Sequence, residues 1–161
     1  MTGAGAKYRM DEAYWEMVKN FNGIGDKGQK VEPDRTVDLF GFSRGAAMAR
    51  IFANMINERG IPDLSSARTV TLTLMGQSKT YTVYDNYFKP EVRFMGLFDT
   101  VGSFGNPGDI SEAGYDTSIS PNVRNVRHAT ARDEGRGGFP LSSAIDPTNS
   151  YDPRIIERIF T

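Results

Sequence analysis

From Met10 to Phe21 the apolar residues Met10, Ala13, Tyr14, Met17, Val18 and Phe21 recur at helical spacing, so a helix packed along one face is predicted. Asp11 and Glu12 then stand where the positive end of a helix dipole favours acidic side chains. Glycines at 23, 25 and 28, followed by Pro33-Asp34, predict a loop. The run Thr36 to Phe42 is β-rich, and at Arg44 the period turns helical, with Ala47, Met48, Ile51, Phe52, Met55 and Ile56 on one face. Gly60 and Pro62 end that helix. Period-two alternation over Val70–Met75 and again over Thr80–Tyr84, either side of Gly76-Gln77-Ser78-Lys79, predicts a β-hairpin solvated on one face. The more continuous apolar run Val92 to Phe98, closing on Asp99, predicts a central strand buried on both faces. A long loop is predicted over Gly102–Pro121, a helix from Pro121 to about Arg132, and mostly irregular chain over Asp133–Tyr151. Arg154–Phe160 reads as a last strand or a short helix.

Strands alternating with helices argue for an α/β fold, a mainly parallel sheet flanked by helices with the hairpin inserted on it. Only three or four core strands are countable, few for such a sheet. The 161 residues are one domain's length. With 19 basic and 20 acidic side chains the formal charge is −1, which offers nucleic acid no basic stripe. Zero cysteines exclude thiol nucleophiles and cysteine-ligated zinc, and the single histidine, His128, excludes a multi-histidine metal site. No metal and no cofactor are therefore expected. No apolar run reaches the ~18 residues of a membrane-spanning helix, and Met1–Lys7 lacks the basic and apolar segments of a signal peptide, so synthesis and folding in the cytoplasm are expected.

Gly41-Phe42-Ser43-Arg44-Gly45 fits Gly-x-Ser-x-Gly with an apolar strand before it and an amphipathic helix after it. A serine on so tight a turn takes a strained backbone, and Gly41 and Gly45 are expected to be small so that strand and helix can close around it. The turn lifts the hydroxyl off the sheet edge, where the Arg44 backbone N–H faces a developing oxyanion, worth about 10²–10³ in rate. Serine needs a general base, and the base an orienting carboxylate, in the chain order Ser, acid, His. Asp99 ends a strand, where open α/β sheets place site residues; its alternative is a local turn bond to Val101 or Gly102. His128 completes the order, and its alternative is a helix histidine pairing with Asp133 or Glu134. Arg50 reads either as a ligand for lipid phosphate or as a solvated helix residue, and Phe104, Tyr115, Ile119 and the hairpin as a candidate apolar lip.

Three blocks resemble one family: Leu39-Phe40-Gly41-Phe42-Ser43-Arg44-Gly45-Ala46, Phe94 to Gly102 with Phe-Asp-Thr-Val-Gly, and Arg127-His128-Ala129-Thr130-Ala131-Arg132-Asp133-Glu134 with Phe139-Pro140. The chain is similar, over roughly 37–140, to the α/β-hydrolase catalytic domain of type VI secretion phospholipase effectors. The resemblance implies hydrolysis of phospholipid acyl esters by a Ser-Asp-His triad, with Ser43 as nucleophile and Asp99 as acid, in a toxin delivered to a rival cell's periplasm. It implies as partners a secretion apparatus and an immunity protein. It departs at the histidine: the family's base stands in a further Gly-x-His-Ser-Asp-x-Gly-Gly block that these residues lack, as they lack its early Asp-Gly-Thr strand. Residues 1–161 are accordingly expected to be one truncated α/β-hydrolase domain whose base lies beyond Thr161. The competing readings are an incomplete, non-catalytic module that docks on a secretion or phage-like apparatus, and an acyl hydrolase acting on a thioester or peptide.

Overall fold

The computed structural model describes residues 3–101, 116–131, 141–145 and 151–160, with the side chains of the first helix described from Tyr8 onward. Four strands, β1 (Val37–Phe42), β6 (Val92–Phe98), β7 (Val126–Ala131) and β8 (Ile155–Phe160), form one sheet in that order, each pair parallel. Helix α2 (Arg44–Arg59) follows β1 and lays Ala46, Ala49, Ala53 and Ile56 on one sheet face, against Val37, Met95, Leu97 and Val126. Helix α1 (Gly3–Phe21) adds Met10, Tyr14, Val18 and Phe21 to the same core, and its Tyr14 hydroxyl donates to the Gly60 carbonyl at 2.9 Å. Each Val, Leu, Ile, Phe or Met side chain so buried stabilises the fold by roughly 1.5 to 3 kcal/mol. Because α1 begins at Gly3, Asp11 and Glu12 lie in its middle and not at its dipole's positive end.

Two expectations are corrected on the sheet. Residues 121–131 of the predicted helix are not helical, and Arg132 lies outside the described residues: Val126, His128 and Thr130 alternate into the core with period two, and β7 pairs with β6 and β8. The two periods compete in this segment, and non-local pairing decides for the strand. Strand β6 is buried on the helix side alone. On the other face Phe40 and Phe42 of β1 are each 67% exposed and Phe98 of β6 50%, and a groove of about 420 Å³ runs between Phe40, Phe94, Phe98, Ile156 and Phe160. Gly96 permits this arrangement, since a Cβ there would stand 2.7 Å from the Phe40 ring.

The hairpin, β3 (Ala67–Leu74) with β4 (Gln77–Tyr84), forms a sheet of its own and is exposed on both faces. Its turn is the two residues Met75 and Gly76, at φ 51° and 78°, and not the four residues 76–79. Threonines explain the second solvated face: Thr71 and Thr73 meet Thr80 and Ser78 across the strands through hydroxyl bonds of 3.0 and 2.8 Å. Below it, β2 (Ile61–Pro62) and β5 (Tyr87–Phe88) pair antiparallel and close the hairpin's base. The C-terminal segment is the strand of the two alternatives.

Candidate active site

Ser43 stands between the last residue of β1 and the first of α2, at φ 55° and ψ −122°. That backbone costs about 1 to 3 kcal/mol for a residue with a side chain. A serine before a helix ordinarily recovers stability by accepting a backbone N–H, worth about 1 kcal/mol, yet the Ser43 hydroxyl makes no such cap bond. Its main chain is fixed on both sides: Ser43 N–H donates to the Phe98 carbonyl at 2.7 Å, and the Ser43 carbonyl accepts from Val101 N–H at 3.2 Å. The turn is held in a costly shape while, among the described residues, the hydroxyl caps no helix N–H.

Gly41 is required by contact, because a Cβ there would stand 2.5 Å from the Ala46 backbone. Gly45 differs: a Cβ added to it meets nothing within 4 Å, so the closure of strand and helix rests on Gly41. Arg44 opens α2, and the backbone N–H of a first helical residue has no intrahelical acceptor.

Asp99 follows β6 directly, at φ 46°, a left-handed conformation that aspartate tolerates better than most residues. Its N–H donates to the Ala129 carbonyl at 2.8 Å, and its carboxylate accepts from Ala131 N–H at the end of β7. Asp99 is thus tied to the neighbouring strand; of the two local turn partners weighed for it, Val101 bonds Ser43 through its N–H, and Gly102 lies outside the described residues. Since Phe42 and Phe98 are register partners, Ser43 and Asp99 leave the sheet side by side at the C-terminal ends of adjacent parallel strands.

His128 is placed differently. It lies on β7 with its side chain fully buried; Nδ1 is 2.7 Å from Glu157 Oε2, and Nε2 is 3.0 Å from Thr100 Oγ1 and accepts from Thr100 N–H at 3.4 Å. Among the described residues neither ring nitrogen meets Ser43. Asp133 and Glu134, its expected partners, lie outside the described residues, as do Phe104 and Tyr115; Ile119 packs against the core. Burial pushes the His128 imidazole below its ordinary value, against the opposing pull of Glu157. Burial also opposes ionisation of Glu157, but donors from Ala144 N–H at 2.9 Å, His128 and the Ser143 hydroxyl outweigh it and hold the carboxyl below its usual range.

Arg50 is a further correction. It is neither solvated nor turned outward: it is 5% exposed, and its guanidinium donates to the Ser142 and Ser143 carbonyls at 3.0 Å each. Burial lowers its pKa to about 10, which leaves it charged at neutral pH. Sequence reasoning passed over Thr100 and Glu157; an acid between Ile155 and Ile159 at period two was the available signal for the latter. Among the described residues no group of three or more metal-ligating side chains gathers, and no helix is long and apolar enough to cross a membrane.

The family model described as "T6SS, Phospholipase effector Tle1-like, catalytic domain" matches residues 1–87 and 66–155. The chain is 31% identical over 127 residues to an uncharacterized protein of Saccharomyces cerevisiae, covering 67% of this chain and 18% of that protein. Among solved structures, an uncharacterized protein from Pseudomonas aeruginosa matches at 23% identity with a TM-score of 0.46, over 98% of this chain and 22% of that one. The chain spans about a fifth of the length of these relatives.

Proposed function

Since the chain belongs to the family of Tle1-like phospholipase effector catalytic domains of type VI secretion, we propose that it hydrolyses the acyl esters of phospholipids with Ser43 as nucleophile. One observation carries the reading: Ser43 is held at φ 55° and its hydroxyl makes no cap bond, so the strain of the turn is not offset by a helix cap. In this reading Ser43 Oγ attacks the acyl carbonyl as its proton passes to a base. The oxyanion accepts from the Arg44 N–H at the start of α2. The base returns the proton to the departing lysophospholipid oxygen, and water then releases the acyl group by the same route.

Asp99 is the acid that orients the base. With both nitrogens of His128 committed to Thr100 and Glu157, the base in this proposal is another histidine, outside residues 1–161. The hydrolase fold, the single catalytic domain, and an effector's secretion apparatus, immunity partner and delivery into a target cell's periplasm belong to the same proposal. A second reading, a non-catalytic docking module, draws its support from the engagement of both His128 ring nitrogens by Glu157 and Thr100 and not by Ser43. The test is fatty-acid release from phosphatidylethanolamine and phosphatidylglycerol vesicles by the intact protein and by Ser43→Ala. Release by the intact protein alone supports the hydrolase, equal release by both removes Ser43 from the chemistry, and release by neither favours the docking module.

A further inference from the structure

The Arg127–Ala131 block is left without a role once His128 is removed from the elbow. Its histidine nevertheless sits at the centre of a connected set of bonds. An ionised carboxylate only accepts, so Glu157 Oε2, 2.7 Å from Nδ1, places the ring proton on Nδ1, and in the neutral ring Nε2 accepts from the Thr100 N–H at 3.4 Å. The Nδ1–H then donates to Glu157 Oε2 at 2.7 Å, and the Thr100 hydroxyl at 3.0 Å supplies a second donor to Nε2. Glu157 is held in turn by the Ser143 hydroxyl and Ala144 N–H, on the segment whose Ser142 and Ser143 carbonyls Arg50 clamps.

The other end of the set is the bend after β6. Thr100 is its middle residue, and the Thr100 carbonyl accepts from Ser142 N–H at 2.8 Å. On one side Asp99 reaches Ala131 N–H; on the other Val101 N–H holds the Ser43 carbonyl. We propose that His128 is a positioning residue: fixed as the neutral Nδ1–H tautomer between Glu157 and Thr100, it locks the Asp99–Val101 bend and so sets both the Asp99 carboxylate and the Ser43 elbow. What the bend serves rests on the hydrolase reading; that His128 sets it does not.

Protonation of the ring makes Nε2 a donor: the Thr100 N–H loses its acceptor and the Thr100 hydroxyl must turn to accept, which loosens the bend. The charged groups facing His128 are Glu157 from β8, Asp99 from β6 and Arg50 from α2. The two carboxylates favour the imidazolium; burial and Arg50 oppose it and prevail. The bend is therefore closed at neutral pH and opens only at a pH below the ordinary histidine range. A histidine that merely filled space would have no such link to Asp99.

Because the chain has one histidine, two-bond nitrogen–proton NMR of the 161-residue chain reads its ring without overlap. The expected result is a protonated Nδ1 and a bare Nε2 at neutral pH. On acidification the Ala131 amide, which reports Asp99, and the Val101 amide, which reports Ser43, should shift with the midpoint of the ring. Thr100→Val should displace both amides at neutral pH and Thr100→Ser restore them. In the vesicle assay with the intact protein, Thr100→Val should lower kcat about 10²-fold with KM unchanged, as misplacement of reacting groups does. An Nε2–H tautomer, or amides indifferent to the titration of the ring, overturns the proposal, and the wild-type spectra decide this even if Thr100→Val fails to fold. Linked amides in a protein that releases no fatty acid keep the positioning role and discard the hydrolase.

Discussion

Two polar clusters occupy the same parallel strands and are built on opposite terms. At the strand ends, Ser43 and Asp99 hold left-handed backbones at φ 55° and 46°, and the serine makes no cap bond. On the helix-covered face, His128, Glu157 and Thr100 give their polar atoms to one another, and Arg50 ties down the segment that contacts Glu157. A buried polar group is stable when its bonds are made; His128, Glu157 and Thr100 follow that rule, while Arg50 Nε has no partner among the described residues. The elbow accepts strain, and its serine makes no cap bond. The difference separates residues held for chemistry from residues held for geometry, although all of them are polar and close together in the fold.

The sharpest way to break this contrast is Ser43→Ala in the intact protein. Ester hydrolysis should fall on the order of 10⁶-fold, while the urea midpoint stays the same, because the lost hydroxyl made no cap bond. A matching loss of stability would place Ser43 among the structural residues. Asp99→Asn comes next, with kcat expected to fall about 10⁴-fold as the base loses its orienting charge. Its amide oxygen still accepts from Ala131 N–H, so a loss below tenfold would assign Asp99 to strand pairing alone.

The buried cluster should answer in the opposite currency, stability before rate. Glu157→Ala leaves the His128 Nδ1–H and the Ala144 N–H without their acceptor and should destabilise the fold by about 1 to 3 kcal/mol. The pH dependence has a defined sign. The His128 pKa is lowered on folding, so the unfolded chain takes up a proton that the folded chain refuses. Stability is fully present above the ordinary histidine pKa of about 6.5 and is lost as pH falls from there through the folded value. Glu157, also lowered, extends the loss below its own ordinary range. Denaturant midpoints measured from pH 8 to 4 check this, and a flat profile would contradict the burial of a neutral ring.

The two motif glycines should part company, and the second of them gives the smallest expected effect. Gly41→Ala should damage the elbow, with a Cβ 2.5 Å from the Ala46 backbone. Gly45→Ala enters open space on a helix and should be neutral or stabilising by up to about 1 kcal/mol. Thermal unfolding of the pair decides whether Gly45 answers a steric need or serves something outside the fold.

What was legible in the sequence was local. A strand, a tight serine turn and an amphipathic helix each impose their pattern within a few residues, so β1, α2 and the hairpin's two strands were readable from residues 36 to 84. The misread parts depend on partners far along the chain. His128 sits where two periods compete, and only its register between Leu97 and Glu157 makes the segment a strand. Arg50 looks solvated on a helix until the carbonyls 92 and 93 residues away are in place. Strand β6 has the apolar run of a doubly covered strand, yet its outer face is exposed, because hydrophobicity records what a face tolerates and not what lies on it.

The central claim is that Ser43 is an activated nucleophile, and a fluorophosphonate probe tests it most directly. The intact protein is incubated with the probe at neutral pH, digested, and the adduct located by peptide mass mapping, with Ser43→Ala alongside. The account predicts one covalent adduct, on Ser43, absent from the variant. A folded protein that hydrolyses phospholipid while Ser43 stays unmodified, or that carries the adduct on another serine, would contradict it.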